Sequence, residues 1–329
     1  MEDNIKISVC CLVYNHEKYL RKMLESLVNQ KTDFDYEILI NDDASTDRSP
    51  EIIKEYQQKY PKLIKPVFQT ENQYSKNVHM SNTFLFPRVK GEFVCFCEGD
   101  DYWCDNNKLQ EQYNVMSSHP ECSICTHCTQ LIKEDGRIMR GILPPRKIEE
   151  GIIEQEQFAQ WLLAESNFTF QLSSYCIRAD LIHELEADKL PEFYKASPVG
   201  DEVILRYCLN SGKVYFINKI MSCYRVNSIG SWSLRENSSA EKKKSHCEKL
   251  KKVDLLFNEF SGGRFERYIK EGLIHRDFIF YAQTKNYREV RKPEYKKFWK
   301  KLKLKTKIKY TVCTYFPFLD KIWDKIRGR

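Results

Sequence analysis

The hydrophobic positions at the start of the chain follow two alternating periods. A nearly continuous apolar run, KISVCCLV at residues 6–13, predicts a strand buried on both faces. Residues 17–30 then carry apolar side chains at helical spacing, namely Leu20, Met23, Leu24 and Leu27. A strand followed by a helix predicts that the chain opens with an α/β unit.

The same alternation continues to about residue 117. Further strands are predicted at residues 36–40, 63–69 and 93–97. Helices are predicted at residues 51–60, 80–89 and 108–117, the first of them with Ser49 as N-cap and Pro50 as its first residue. Strands and helices that alternate through short loops predict an α/β fold with a mostly parallel sheet and helices on both faces.

Strand-like patterns dominate the next hundred residues. Strands are predicted at residues 123–131, 137–143, 170–177, 214–217 and 219–225, with helices at residues 154–163 and 199–209. From about residue 240 the pattern is helical and basic. We therefore place a domain boundary near residue 235, between a domain at 1–235 and a helical basic C-terminal region at 236–329.

Composition supports a globular protein that stays in the cytosol. Apolar residues make up 42% of the chain and aromatic residues 13%, enough for a full core. The N-terminus, MEDNIKISVC, is acidic where a signal peptide needs a basic region and a long apolar run. No stretch reaches the roughly 18 apolar residues of a spanning helix. The thirteen cysteines are accordingly expected to be reduced thiols.

The net charge of +7 is concentrated near the C-terminus. Residues 287–329 are dense in Lys and Arg, and aromatic side chains are interleaved with them: Phe298, Trp299, Phe316, Phe318 and Trp323. One interpretation is a solvated helix face. The other is an anionic membrane surface, which attracts cations and accepts aromatic side chains. Nucleic acid is not expected as a partner, because no known binding motif accompanies the charge.

Carboxylates follow two of the predicted strands. Asp42 and Asp43 come after the strand at 36–40, and Glu98, Asp100 and Asp101 come after the strand at 93–97. Each cluster alone could be a helix cap. Two clusters on one sheet edge would repel each other unless a cation or hydrogen-bond donors lie between them. A nucleoside diphosphate with Mg²⁺ or Mn²⁺ would supply both, and Tyr14 could flank a pyrimidine ring.

Other motifs leave alternatives open. Neither a G-x-G-x-x-G motif nor a P-loop is present. Cys122, Cys125 and Cys128 have metal-like spacing, but in a strand they would lie on opposite faces, which disfavours zinc. Asp201 begins a predicted helix and could be a cap or a functional acid. Arg225 could be a surface charge or could face phosphate.

Several segments together resemble a known family, the inverting family 2 glycosyltransferases with the GT-A fold, of the bacterial surface-polysaccharide type. The resemblance covers residues 5–232 and lies in SVCCLVYNHEKYLRKMLESLVNQ, YEILINDDASTDRS, ENQYSKN, KGEFVCFCEGDDYWCDNNKLQEQ and VGDEVILRYCLNSGKVYFINKIMSCYRVN followed by GSWS. Their order and their positions at strand ends carry the resemblance.

The resemblance implies roles for individual residues. Tyr14 and Asp43 would bind the uracil of a UDP-sugar, with Asp42 close by. Glu98, Gly99 and Asp100 take the D-x-D position, which holds Mn²⁺ or Mg²⁺ and the ribose. Asp101 would lie next to the donor sugar and Asp201 would be the general base. The chain departs from the family pattern at Glu98, where an Asp is usual, and at Asn227, where relatives often carry His.

These observations predict a metal-dependent glycosyltransferase on the inner face of the cell membrane. It would move a sugar from a UDP-sugar to a glycan or lipid-linked acceptor. Residues 166–174 and the loop around Trp232 are expected to recognise that acceptor. The alternatives are a nucleotide-binding peripheral membrane protein without turnover and a sugar nucleotidyltransferase, whose usual glycine-rich, basic N-terminal loop this sequence lacks.

Overall fold

A computed structural model describes residues 5–165, 170–226 and 239–320 of the 329-residue chain. Asn227, the loop around Trp232, the predicted boundary near residue 235 and Trp323 lie outside the described residues, as does the first part of the predicted acceptor segment 166–174.

The described residues contain one ten-stranded sheet. Its strands are β1 (Ile5–Val13), β2 (Asp35–Asp42), β3 (Ile64–Phe68), β4 (Phe93–Phe96), β5 (Tyr102–Trp103), β6 (Cys122–Ile132), β7 (Ile138–Leu143), β8 (Gly151–Ile153), β9 (Cys176–Arg178) and β10 (Lys213–Arg225). The order along the sheet is β3-β2-β1-β4-β9-β6-β10-β5, with β7 paired to β6 and β8 paired to β10.

Helices connect these strands and form the C-terminal part of the described chain. They are α1 (Glu17–Val28), α2 (Ser49–Lys59), α3 (Lys108–Ser118), α4 (Gln155–Ala159), α5 (Ala179–His183), α6 (Glu192–Lys195), α7 (Gly200–Ser211), α8 (Ala240–Phe260), α9 (Glu266–Gln283), α10 (Lys296–Lys301) and α11 (Leu304–Tyr315).

The first four strands of the sheet, β3, β2, β1 and β4, are parallel, as the alternating pattern predicts. Burial of both faces explains why β1 is almost entirely apolar, since helices cover the sheet on each side. Beyond β4 the sheet is mixed, because β9 runs antiparallel to both β4 and β6 while β6 and β10 are parallel. The parallel half brings the carboxyl ends of β1, β2 and β4 to one edge.

Most predicted elements are confirmed within one or two residues, and the exceptions have local causes. The predicted helix at 80–89 is a π-helical turn, Ser81–Leu85, and a 3-10 turn, Phe86–Arg88. Pro87 lacks the N–H that an α-helix would need there. The strand predicted at 170–177 is only Cys176–Arg178, after a 3-10 turn. The two strands predicted at 214–217 and 219–225 are one continuous strand, β10.

The described residues form two compact units. The first comprises residues 5–158, 170–195 and 199–226 and contains the sheet and all the candidate site residues. The second comprises residues 159–165, 196–198 and 239–320. In the described part of the chain, no helix is both long and apolar enough to cross a membrane.

The second unit has an apolar core of its own. Its buried members are Phe278, Tyr287, Val290, Tyr295, Phe298 and Cys313. Phe298 is only 6% exposed, so its expected place on a membrane-facing surface is wrong. Trp299 packs against the same core, whereas Phe316 and Phe318 are exposed. The periodicity of a lysine-rich segment did not reveal which aromatic side chains turn inward.

Candidate active site

The two acidic strand ends flank the carboxyl end of β1. The backbone N–H of Asp43 donates to the carbonyl of Val13 at 2.9 Å, directly after the last register pair between β1 and β2. On the other side, the N–H of Gly99 donates to the carbonyl of Leu12 at 3.0 Å. The predicted meeting of the acidic segments at one sheet edge is therefore confirmed.

Side chains tie the loops after β1 and β2 together. The hydroxyl of Ser45 accepts from the N–H of Asn15 at 2.9 Å, and the Asn15 side chain accepts from the N–H of Thr46 at 2.8 Å. Asn15 has a left-handed backbone with φ of 56°, which Asn tolerates better than most residues. These contacts fix the peptide beside Tyr14, a residue that is 45% exposed and can stack on a ligand ring.

Asp42 and Asp43 are both buried but are differently engaged. The two carboxylate oxygens of Asp43 accept from the N–H groups of Gln73 at 2.7 Å and Tyr74 at 3.1 Å. Asp42 Oδ2 accepts from the N–H of Ser45 at 3.2 Å, while its Oδ1 has no partner among the described residues. Burial raises the pKa of Asp42. Asp43 thus organises the loop at Gln73, and Asp42 keeps one buried oxygen without a hydrogen-bond donor among the described residues.

The acids after β4 repel one another in a desolvated site. Burial raises the pKa of Glu98 to about 8, and the charges of Asp100 and Asp201 add to the shift. Burial also raises the pKa of Asp101 well above its usual range, with Asp100 and Glu98 contributing. Asp101 Oδ2 has no partner in the described part of the chain. Such a cluster is a typical binding site for a positive or donor-rich group.

Asp201 lies in the first turn of α7, and its charge acts on the acids that follow β4. Its Oδ1 accepts from the N–H of Glu202 at 2.8 Å. Burial raises the pKa of Asp201 to about 6, and the neighbouring Glu202 charge adds to the effect. Since Asp201 in turn raises the pKa of Glu98, the start of α7 and the end of β4 are electrostatically coupled. A carboxyl group with this pKa can accept a proton near neutral pH.

Tyr224, near the end of β10, is a site residue to which the sequence assigned no role. Burial raises the pKa of its hydroxyl, and the charges of four carboxylates add to the shift: Asp101, Glu98, Asp100 and Asp201. A half-buried phenol amid all four acids can donate a hydrogen bond to whatever they bind. Only its place next to Arg225 in the YRVN segment could have indicated this.

His16 is a second residue without a predicted role, and it links the two acidic clusters. Burial lowers the pKa of its imidazole, while Asp100, Asp47 and Asp42 act in the opposite direction. Its ring lies against Gly99, where an added Cβ would come within 2.3 Å of His16 Nδ1. The glycine of the E-G-D sequence is therefore required by the neighbouring imidazole.

Arg225 donates hydrogen bonds to Asp101 and to the backbone of Asp100, and it thereby positions this acidic segment. Its N–H donates to Asp101 Oδ1 at 2.9 Å, and its guanidinium donates to the carbonyls of Asp100 and Lys133, each at 3.0 Å. The guanidinium also lies 4.3 Å from the centre of the Tyr19 ring. These contacts give Arg225 a positioning role, and a direct contact with a diphosphate stays a prediction.

The site's donor set fits a divalent cation that is shared with a ligand. No group of three or more His, Cys, Asp or Glu side chains in the described ranges is arranged to hold a metal by itself. Mg²⁺, however, is usually bound through one or two carboxylates together with phosphate oxygens. Glu98 and Asp100 offer hard oxygens of this kind, and the unpartnered Asp101 Oδ2 lies in the same cluster.

Comparison with known proteins identifies relatives of this chain. The model of the glycosyl transferase family 2 domain matches residues 8–179, just over half of the chain. An uncharacterized protein of Mycobacterium tuberculosis is 40% identical over 130 residues, which is 40% of this chain and 37% of that protein. A poly(ribitol-phosphate) beta-glucosyltransferase of Bacillus spizizenii is 36% identical over 116 residues, 35% of this chain and 18% of that enzyme.

Among solved structures, S. aureus TarS 1-349 in complex with UDP-GlcNAc is similar to this chain, with a TM-score of 0.53. The two are 18% identical, and the match covers 92% of this chain and 77% of TarS 1-349. At this identity the likeness concerns the fold alone. It confirms the GT-A fold with helices around the sheet, and the helical C-terminal extension is compatible with it.

Proposed function

The chain belongs to glycosyl transferase family 2, and from that premise we propose that it transfers a sugar from a UDP-sugar to a glycan or lipid-linked acceptor, with inversion at the anomeric carbon. The proposed setting is the synthesis of a cell-surface polysaccharide, at the inner face of the cell membrane. The similarity to a poly(ribitol-phosphate) beta-glucosyltransferase supports this setting.

The observation that carries the proposal is the coupling of Asp201 to the acids that follow β4. A transferase that inverts in one step needs a base on the acceptor side and stabilisation of the diphosphate on the donor side. Asp201, on α7, supplies the first. Glu98 and Asp100, at the sheet edge, would hold the cation that supplies the second.

On the donor side, Tyr14 flanks the uracil, and Asp42 and Asp43 lie at its polar edge. Because Asp42 Oδ1 has no hydrogen-bond partner among the described residues, Asp42 is as suitable as Asp43 to accept the imide hydrogen. Asp101 borders the sugar, and Arg225 holds this loop through the contacts described above.

Glu98 and Asp100 would hold Mn²⁺ or Mg²⁺ together with the diphosphate. The cation, when bound, neutralises charge that develops on the leaving UDP. Its positive charge would also favour the ionised form of Glu98, whose pKa is about 8 in the protein alone.

In the transfer step, the Asp201 carboxylate takes the proton from the acceptor hydroxyl while that oxygen attacks the anomeric carbon. The bond between this carbon and the UDP oxygen breaks on the opposite face. The bonding electrons leave with UDP, and the new glycosidic bond has the inverted configuration.

The domain division completes the proposal: residues 1–235 form the glycosyltransferase domain, and residues 236–329 form a basic helical region. The two compact units support this division for the described residues except 159–165 and 196–198, which belong to the second unit.

Replacing the proposed base tests the function. Purified protein is assayed with Mn²⁺ and a panel of UDP-sugars for release of UDP. Asp201→Asn should keep UDP affinity within about twofold and lower UDP release by about 10²-fold or more, since an amide cannot take the proton.

The matched control is Asp180→Asn. Asp180 also begins a helix and accepts from the next N–H at 2.8 Å, but it is exposed on α5. It should leave activity unchanged. Full activity in the Asp201 variant would remove Asp201 as the base, and no UDP release from any UDP-sugar would refute the proposed function.

A further inference from the structure

We propose that the outer face of α11 and the turn after it form a docking surface for an anionic lipid bilayer. The surface, here called the apolar stripe, consists of Leu304, Ile308, Tyr315, Phe316 and Phe318 together with the lysines around them. The inference rests on the proposed function for its meaning, because a lipid-linked acceptor would be reached at such a bilayer.

Helix α11 has two distinct faces. Lys309 and Cys313, four residues apart, turn inward and are 9% and 3% exposed. Leu304 and Ile308, also four residues apart, turn outward and are 72% and 47% exposed. This spacing places each pair on one side of the helix.

The end of α11 and the turn after it extend the apolar face. Tyr315, Phe316 and Phe318 are 68%, 52% and 65% exposed. Five large apolar side chains thus lie in the open within fifteen residues. Single exposed apolar residues are normal on a protein surface, whereas a cluster of them marks an interaction site.

The stripe is not the side of α11 that packs in the core of the second unit. The inward side of α11 already packs on the core of the second unit, where the Tyr287 and Tyr310 rings stack at 4.5 Å. Among the described residues, the outward side therefore remains exposed after this packing.

The segment that carries the stripe is strongly basic, although Lys297 and Lys301 pair with Glu271 and Glu165. Residues 296–320 contain eight lysines and one acid, Asp320. That acid is turned inward, where it accepts from the Tyr287 hydroxyl at 2.9 Å and pairs with Lys309 at 2.9 Å and Lys285 at 2.6 Å. The exposed Lys303 and Lys305, which flank Leu304, have no ion-pair partner in the described part of the chain.

This combination favours a lipid surface over other occupants. A second copy of the chain would bring like charges together around the stripe, which opposes association. Nucleic acid would match the charge but would leave the aliphatic Leu304 and Ile308 unused. An anionic bilayer attracts the lysines through its headgroups and buries the apolar side chains at the acyl boundary.

The test is flotation of the full chain with vesicles of phosphatidylcholine, with or without about one-third phosphatidylglycerol. Wild-type protein should float with the anionic vesicles and not with the neutral ones. Lys303→Glu with Lys305→Glu should lower partitioning at least about tenfold, and so should Leu304→Ser with Ile308→Ser.

Matched controls lie on α8 of the same unit. Lys249→Glu with Lys252→Glu makes the same change in net charge at exposed positions, and Leu255→Ser removes a side chain that is 52% exposed. Both should partition like wild type. Circular dichroism and melting curves confirm that each variant folds.

Two results would overturn the proposal. One is that the stripe variants bind anionic vesicles as well as wild type does, or that wild type does not bind them at all. The other is a dimer in light scattering that Leu304→Ser with Ile308→Ser abolishes, because the stripe would then be a self-association surface. UDP affinity is measured in solution on every variant. If wild type does not bind lipid but binds UDP and turns over UDP-sugars, only this inference fails. If turnover is absent, the proposed function fails.

Discussion

At the scale of single residues, burial decides how the acids of this protein behave. Asp201 and Glu98 both have raised pKa values, of about 6 and about 8, because the site desolvates them and their neighbours are negative. An isolated acidic turn on the surface would show neither shift. The protein alone therefore keeps part of its negative charge neutralised by protons.

The raised pKa of Asp201 predicts that kcat/KM falls at acidic pH. Because its carboxyl group has a pKa of about 6, it is protonated below that pH and cannot act as a base. We expect kcat/KM to rise about tenfold per pH unit below pH 6 and to level off above it. Initial rates at saturating Mn²⁺ measure this. An acidic limb near pH 4, the usual range of aspartate, would contradict it.

Replacing Asp101 with Asn is expected to make the protein more stable and less active. Its Oδ2 is buried and has no partner in the described residues, and its pKa is raised well above the usual range. Asp101→Asn keeps the acceptor for the Arg225 N–H and removes a buried charge. We expect stability to rise by about 1 kcal/mol at pH 8 while UDP-sugar turnover falls.

Chemical denaturation at pH 5 and pH 8 tests the sign of this effect. A carboxyl group with a raised folded-state pKa lowers the free energy of unfolding as the pH rises, because the unfolded chain loses this proton at a lower pH than the buried group does. The gain from Asp101→Asn should accordingly be larger at pH 8 than at pH 5. A variant that is less stable than wild type at both values would refute the prediction.

At the scale of elements, strand ends and the loops between them set the geometry of the site. Gly99 approaches the His16 imidazole, so Gly99→Ala would bring a Cβ within 2.3 Å of Nδ1. We expect this variant to weaken UDP binding by about tenfold, because residues 98–100 must shift. Adding His16→Ala should restore most of the affinity, because the obstruction is a side chain.

Gly91 provides the contrasting case. A Cβ there would meet the backbone of Ser8 and Ile7 at 2.6 to 2.8 Å, and no side-chain deletion removes such an obstacle. Gly91→Ala should therefore cost about 2 kcal/mol of stability without rescue by any single truncation. If His16→Ala fails to restore UDP binding to Gly99→Ala, the contact of the His16 ring with position 99 is not the cause of the weaker binding.

At the scale of the whole molecule, ligand binding should be visible as stabilisation. A ligand that binds only the folded state at a hundred times its Kd stabilises by about 2.7 kcal/mol. UDP with Mn²⁺ should raise the melting temperature of the full chain more than UDP alone, since the cation offsets the charges of Glu98 and Asp100. GDP with Mn²⁺ is the control for base recognition. Equal shifts with and without metal would contradict the assignment of these two acids.

The sequence by itself determined the parallel half of the sheet and the acids at its edge. A nearly continuous apolar run such as residues 6–13 favours a strand buried on both faces, and side chains that follow parallel strands meet at one edge. This local logic predicted the positions of Asp42, Asp43, Glu98 and Asp100 without any knowledge of packing.

Only the tertiary structure decided which side chains are satisfied and which remain open. Hydrogen-bond partners come from distant parts of the chain: Gln73 engages Asp43, Arg225 engages Asp101, and His16 lies against Gly99. The same holds for the C-terminal unit, where Phe298 is buried and Phe318 is exposed although both follow lysine-rich sequence. Sequence periodicity specifies the face of one element, but burial depends on what packs against that face, and that is a property of the folded chain.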